Sequence, residues 1–183
     1  MKSQISNLKS QKHGFTLLET LAAISVLTFA VIGPLTLAYY SIRSSSVSQN
    51  QLTAFYLAQE AIEYIKNLRD NNALQRKGNW LDGLAPSGGG NGLCRNDKGC
   101  TVDIPYNIIN QCPGSGDCLK MRYSSDTGFY HQNTSFGIES PFTRKIKLDF
   151  VNSYEEKVSV TISWQEKFGF KSFKLEENIF NWP

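Results

Sequence analysis

From Thr20 to Ile42 the chain carries no charged side chain, and beyond Ile42 the pattern of apolar positions changes character. As a helix the charge-free run reaches about 34 Å, enough for a hydrocarbon core of roughly 30 Å. Gly33-Pro34 interrupts it, and proline removes one backbone bond and loosens a helix locally. After Ser44-Ser45-Ser46, the residues Leu52, Phe55, Tyr56, Ile62, Ile65 and Leu68 recur at helical spacing. Gln59, Glu60, Glu63, Lys66 and Arg69 fall between them, so this stretch is amphipathic and needs a partner surface. Asn71-Asn72 and then Lys77-Gly78-Asn79 are stop signals. The pattern predicts one helix from Phe15 to about Asp70, on the order of 80 Å long. Residues 15–42 form its apolar, membrane-spanning half and residues 43–73 its amphipathic continuation. A free-standing coiled coil is disfavoured, because the apolar repeat lasts only about two and a half heptads.

Residues 74–140 read as a Gly/Cys-rich loop region. Pro86-Ser87-Gly88-Gly89-Gly90-Asn91-Gly92 suits neither a helix nor a central strand. A short hairpin is predicted within the region, Leu119–Tyr123 and Phe129–Gln132 about a turn at Ser125–Gly128. Residues 141–183 read as an antiparallel sheet. Phe142, Ile146, Leu148 and Phe150 alternate with Lys145, Lys147 and Asp149, and Val158, Val160, Ile162 and Trp164 with Ser159, Thr161 and Ser163. A turn at Lys167-Phe168-Gly169 leads into Phe173, Leu175 and Ile179. Strands with one apolar face need a cover, and the amphipathic half of the long helix is the natural one. The predicted class is α+β.

Charge placement adds a topology. The chain has 183 residues, 40% hydrophobic, and a formal net charge of +3. Lys2, Lys9 and Lys12 precede Gly14 with no acid among them, so residues 1–14 read as a basic leader. The remainder is near neutral and offers no basic face that would argue for nucleic acid. Basic residues before the apolar run keep the N-terminus cytoplasmic and place the C-terminal head outside, on a single-pass protein. A cleaved secretory signal fits poorly, since no small-x-small site follows the run before Arg43.

Four cysteines stand in two close pairs, Cys94 and Cys100 in CRNDKGC and Cys112 and Cys118 in CPGSGDC. Three pairings are open. An extracytoplasmic head favours disulfides, and closing so short a loop is worth about 2 to 3 kcal/mol in the chain-entropy model. Local pairing, Cys94 with Cys100 and Cys112 with Cys118, is the preferred expectation, with the crossed patterns left open. Zinc is disfavoured, because the C-x₅-C spacing is longer than in ribbon-type sites. Asn96, Asp97 and Asp117 show no calcium-loop spacing and are read as turn residues. No metal and no cofactor are expected.

One residue stands against the apolar pattern. Glu19 places a carboxylate at the start of the charge-free run, at a cost of a few kcal/mol unless it is paired or interfacial. It follows Gly14-Phe15-Thr16-Leu17-Leu18. This string resembles the prepilin cleavage and methylation motif of type IV pilins and type II secretion pseudopilins. The resemblance implies that a prepilin peptidase cuts after Gly14 and methylates the new N-terminus at Phe15. Glu19 would then be the fifth mature residue, where that family carries its glutamate. A break such as Pro34 is common in the family at this depth. Cleavage would create an amine at Phe15, and opposite charges about 4 Å apart attract by roughly 4 kcal/mol at an effective dielectric near 20. That is comparable to the penalty on Glu19, so Glu19 is expected to pair with the Phe15 amine of its own or a neighbouring subunit. The segments FYLAQEAIEYIKNLRD, PFTRKIKL and KVSVTISWQ further resemble minor pilins of the pilus-modification type and I-type minor pseudopilins. A pilin-like α+β fold is implied.

Catalysis finds little support. His131 is the one histidine after Gly14 and reads as a surface residue, and Glu155, Glu156, Glu176 and Glu177 read as solvent-facing. No nucleophile–base group, phosphate loop or dinucleotide fingerprint is present, so the chain is expected not to be an enzyme. The resemblance implies a structural subunit of a type IV pilus or secretion pseudopilus. Its implied partners are prepilin peptidase, other pilin or pseudopilin subunits and an inner-membrane assembly platform. It would reside in the cytoplasmic membrane before assembly and in the filament after it. The alternative is a membrane-anchored binding module that adheres, or takes up DNA, through its Cys-rich loops.

Overall fold

The computed structural model describes residues 14–86, 90, 92–113, 118–167 and 169–181. One helix, α1 (Leu17–Leu74), is followed by seven strands. They are β1 (Cys100–Asp103), β2 (Ile108–Gln111), β3 (Lys120–Tyr123), β4 (Tyr130–His131), β5 (Ile138–Asn152), β6 (Glu155–Glu166) and β7 (Gly169–Phe180). The chain divides into two compact units, one ending at Val47 and the other beginning at Ser48.

In the first unit the apolar part of α1 is long and apolar enough to cross a membrane, by length and composition, and none of that window is buried within the chain. Four of its hydroxyls are satisfied inside the helix. Thr20, Ser25, Thr28 and Thr36 donate to the carbonyls of Leu17, Leu21, Ser25 and Gly33 at 2.7–2.9 Å. This is what a helix needs where water is scarce. Helix α1 runs through Pro34, so the loosening expected there leaves the helix continuous. A single proline deletes one donor, and its neighbours hold helical geometry on either side.

The second unit is a helix-on-sheet layer. All strand pairings are antiparallel. β5 is the spine, because it pairs with β6 along one edge and with β1 and β3 along the other. β2 lies outside β1, β4 outside β3 and β7 outside β6. The face of α1 that packs on the sheet is Ala54, Leu57, Ala58, Ala61, Ile62 and Ile65, all buried. This seam differs from the one expected. Leu52 and Tyr56 are more than half exposed, while three alanines take the contact line. Small side chains let the helix backbone approach the sheet, and the bulky residues flank that line. Opposite it stand Ile146, Leu148, Val158, Val160, Ile162, Trp164 and Ile179, in one continuous core. The Phe55 and Phe173 rings meet edge-on at 5.8 Å.

Helix α1 stops slightly beyond the expected end, by a C-terminal cap. Arg76 takes a left-handed conformation (φ 52°). The N–H of Lys77 reaches the carbonyl of Asn72, and that of Arg76 the carbonyl of Ala73, both at 3.0 Å. The buried Asn72 amide donates to the carbonyls of Trp80 and Asp82, which draws Leu81 and Leu84 into the core.

Two boundaries shift. The region expected as loop from 74 to 140 supplies β1 to β4, and the sheet begins well before residue 141. The predicted hairpin is present as β3–β4. The β1–β2 hairpin was not expected. It depends on Gly99 (φ 72°), where an added Cβ would stand 2.7 Å from the carbonyl of Ile146.

Candidate functional site

The N-terminal segment is built by a cap. Gly14, Phe15 and Thr16 precede the helix in non-helical conformation. Thr16 is the N-cap, and its Oγ1 accepts the N–H of Glu19 at 3.2 Å. Thr16-x-x-Glu19 is therefore the capping-box pattern, a local reason for Glu19 that the family resemblance hid. Glu19 is the acidic residue of the first turn, where the helix dipole favours negative charge by about 0.3–1 kcal/mol. Its carboxylate has no hydrogen-bond or ion-pair partner among the described residues. Phe15 is 81% exposed, and among the described residues nothing lies within 4 Å of where a Cβ on Gly14 would stand. The Gly14–Phe15 bond is thus sterically open. The leader before Gly14 lies outside the described residues.

The second unit carries a different set of groups. Cys94 pairs with Cys100 and Cys112 with Cys118. The first disulfide is fully buried. The N–H of Cys94 donates to Leu84, and its carbonyl accepts the N–H of Leu148. This clip holds the entry to β1 against the middle of β5. The calcium-like residues serve the fold. Asn96 Oδ1 accepts the N–H of Gly99 at 2.9 Å, Asp97 is exposed beside Lys147, and Asp117 lies outside the described residues.

Two charged residues lie within the apolar layer. Arg144 is fully buried on the inner face of β5. Its guanidinium donates to the carbonyls of Leu57 (3.2 Å) and Val102 (2.6 Å) and to Glu60 (3.0 Å), so one side chain joins α1, β5 and β1. Burial pushes its pKa down, against the pull of the Glu60 and Asp103 carboxylates. Glu156 corrects the expectation that it faces solvent. It is 1% exposed and takes two bonds from Arg95, at 2.8 and 3.0 Å. Arg95 also donates to the carbonyls of Pro86 and Gly90 and lies 5.3 Å from the Phe150 ring centroid. Such a bidentate pair fixes a loop geometrically. His131 is likewise buried, not surface-exposed. It stacks on Phe136 at 4.3 Å between centroids, because the β3–β4 hairpin turns it inward. No cluster of three or more His, Cys, Asp or Glu side chains suited to a metal occurs among the described residues.

On the solvent face, Glu176 is clamped. Lys174 at 2.5 Å, Lys157 at 3.0 Å and the Ser159 hydroxyl at 3.1 Å hold its pKa down to about 2. Its contribution to folding is therefore present above the ordinary carboxylate value and is lost as pH falls toward 2. Side-chain NMR titration is expected to show Glu176 ionised well below its neighbours. In Lys174→Gln the midpoint should rise toward the ordinary 4.5.

No family model, curated protein or solved structure matches the chain. The residues must carry the functional reading themselves.

Proposed function

We propose that this chain is a minor pilin or pseudopilin, a structural subunit cut by prepilin peptidase after Gly14 and added to a type IV pilus or secretion-type filament. The observation that carries the reading is Glu19, a lone carboxylate opening the charge-free part of α1, whose apolar window is not buried within the chain. A protein that only needs an anchor gains from a carboxylate there about 0.3–1 kcal/mol of dipole stabilisation, less than the few kcal/mol that the charge costs in apolar surroundings. A subunit that acquires an amine at Phe15 gains an ion pair. The capped, exposed Gly14–Phe15 junction suits a peptidase acting at the membrane surface. The continuity of α1 from this end to the packing seam at Ala54–Ile65 supports the reading too, since one element then serves both assembly and fold. On this proposal the chain first resides in the cytoplasmic membrane with its head outside, and its partners are the peptidase, other pilin-type subunits and an inner-membrane platform.

Intact-mass measurement of the protein from its native membrane tests the proposal. The expected species begins at Phe15, carries one N-methyl group and retains two disulfides. A chain still beginning at Met1 overturns it.

A further inference from the structure

The outer face of the sheet, turned away from α1, holds a concavity of about 520 Å³, within the roughly 300–1,000 Å³ range of ligand pockets. Register places its residues in rows across three strands. Lys145 on β5 lies opposite Thr161 on β6, which lies opposite Lys174 on β7. With strands about 4.8 Å apart, the two lysine Cα atoms stand about 10 Å from one another. Lys174 is held by Glu176 at 2.5 Å, which leaves Lys145 as the cation open to an anionic group there. Lys147 and Ser163 line the same concavity, and Phe170, 68% exposed, adds an aromatic wall.

The charges do not cancel. Lys145, Lys147 and Lys174 face one lining acid, Asp149, which leaves two net positive charges. Adding the nearby Asp97 and Glu176 together with Lys157 leaves four cations against three anions, still one positive. Lys147 meets its carboxylates at 3.7 Å. Lys145 has no carboxylate partner among the described residues, and donates at 3.4 Å to the backbone carbonyl of Asp97. Thr161 and Ser163 are half-buried with hydroxyls unengaged by the described residues.

We propose that this concavity binds an acidic saccharide, with its carboxylate on Lys145, its hydroxyls on Thr161 and Ser163, and one apolar sugar face against Phe170. One ammonium group without a carboxylate partner, two free hydroxyls and a lone aromatic wall together match that chemistry. A nucleic acid fits less well. It needs a longer track of phosphate contacts and several stacking aromatics, and this concavity has one aromatic and no arginine. The site lies wholly in the head and stands whether or not the chain joins a filament.

Calorimetry on the full chain in neutral detergent tests it, with an oligogalacturonate, the uncharged galactose oligomer of the same length and a single-stranded oligonucleotide as probes. The oligogalacturonate is expected to bind, more weakly as salt rises, and the uncharged oligomer and the oligonucleotide are not. Lys145→Gln should weaken binding about tenfold, the loss of one charge-assisted hydrogen bond. Lys77→Gln, which removes a cation that pairs with Asp82 just beyond the end of α1, should leave binding unchanged. Equal binding of the uncharged oligomer, tighter binding of the oligonucleotide, or wild-type affinity in Lys145→Gln overturns the assignment. So does the absence of oligogalacturonate binding to the folded wild-type chain.

Discussion

Arg144→Ala is expected to destabilise the head by about 3 kcal/mol, read as a shift of the urea midpoint with the slope unchanged. The guanidinium is fully buried and cannot lose its proton. The structure tolerates the charge because three acceptors from two other elements converge on it. Truncation leaves the Val102 carbonyl without this donor, opens a void under α1 and strips Glu60 of its partner. Breaking a buried pair costs about 3–5 kcal/mol. The lower end applies here, because the Glu60 side chain is 33% exposed and can take up water. Glu60→Gln should cost less, about 1 kcal/mol, since an amide oxygen still accepts from Arg144. Arg144→Met, which fills the space without the charge, should recover part of the loss. If Arg144→Ala shifts the midpoint no more than Glu60→Gln does, the side chain does not join the helix to the sheet as its contacts imply.

Arg144 also shows where reading from sequence succeeds and where it stops. The alternation along β5 and β6 located both strands and their apolar faces. The same parity that buries Phe142, Ile146 and Leu148 also places Arg144 inward, and the parity of Val158 and Val160 does so for Glu156. Both were legible by period alone. They were passed over because charged residues are rarely buried, and their partners lie far along the chain, Glu60 for one and Arg95 for the other. The β1–β2 hairpin left a weaker trace. Its strands are four residues each, β1 is buried throughout, and neither alternates. Its glycine and cysteines looked like loop chemistry until β5 was set beside them. The helix seam is legible at Ile62, Ile65 and Leu68 but not at its alanines, for a related reason. Alanine carries little weight in a hydrophobic count, yet Ala54, Ala58 and Ala61 decide how closely the helix can approach. At the N-terminus the reverse happened. Thr16 and Glu19 form a local pattern visible in four residues, but the same letters belong to a longer motif that drew the reading first.

That double meaning of Glu19 sets the sharpest expectation. Glu19→Ala and Glu19→Gln should both yield chains cut after Gly14, and both should fail to enter filaments. The two substitutions separate the two roles. The capping bond present, from the Glu19 backbone N–H to the Thr16 hydroxyl, survives either substitution, and glutamine also keeps the capping-box residue type, so Glu19→Gln removes only the charge. A cap is worth about 1 kcal/mol, and α1 continues for many turns that do not depend on it. The ion pair with a Phe15 amine is worth roughly 4 kcal/mol at about 4 Å in surroundings of effective dielectric near 20, and the bare carboxylate costs a few kcal/mol in apolar surroundings. The larger quantity should decide, and it depends on charge. Thr16→Val gives the complement, because it removes the capping hydroxyl and leaves the charge, and it should assemble nearly as the native chain does. Incorporation is read by immunoblot of sheared filaments against membrane fractions, with intact mass confirming the cut. If Glu19→Gln assembles normally while Glu19→Ala and Thr16→Val do not, the carboxylate is there to start a helix. The apolar run would then be an anchor, and the amine at Phe15 would have no part in assembly.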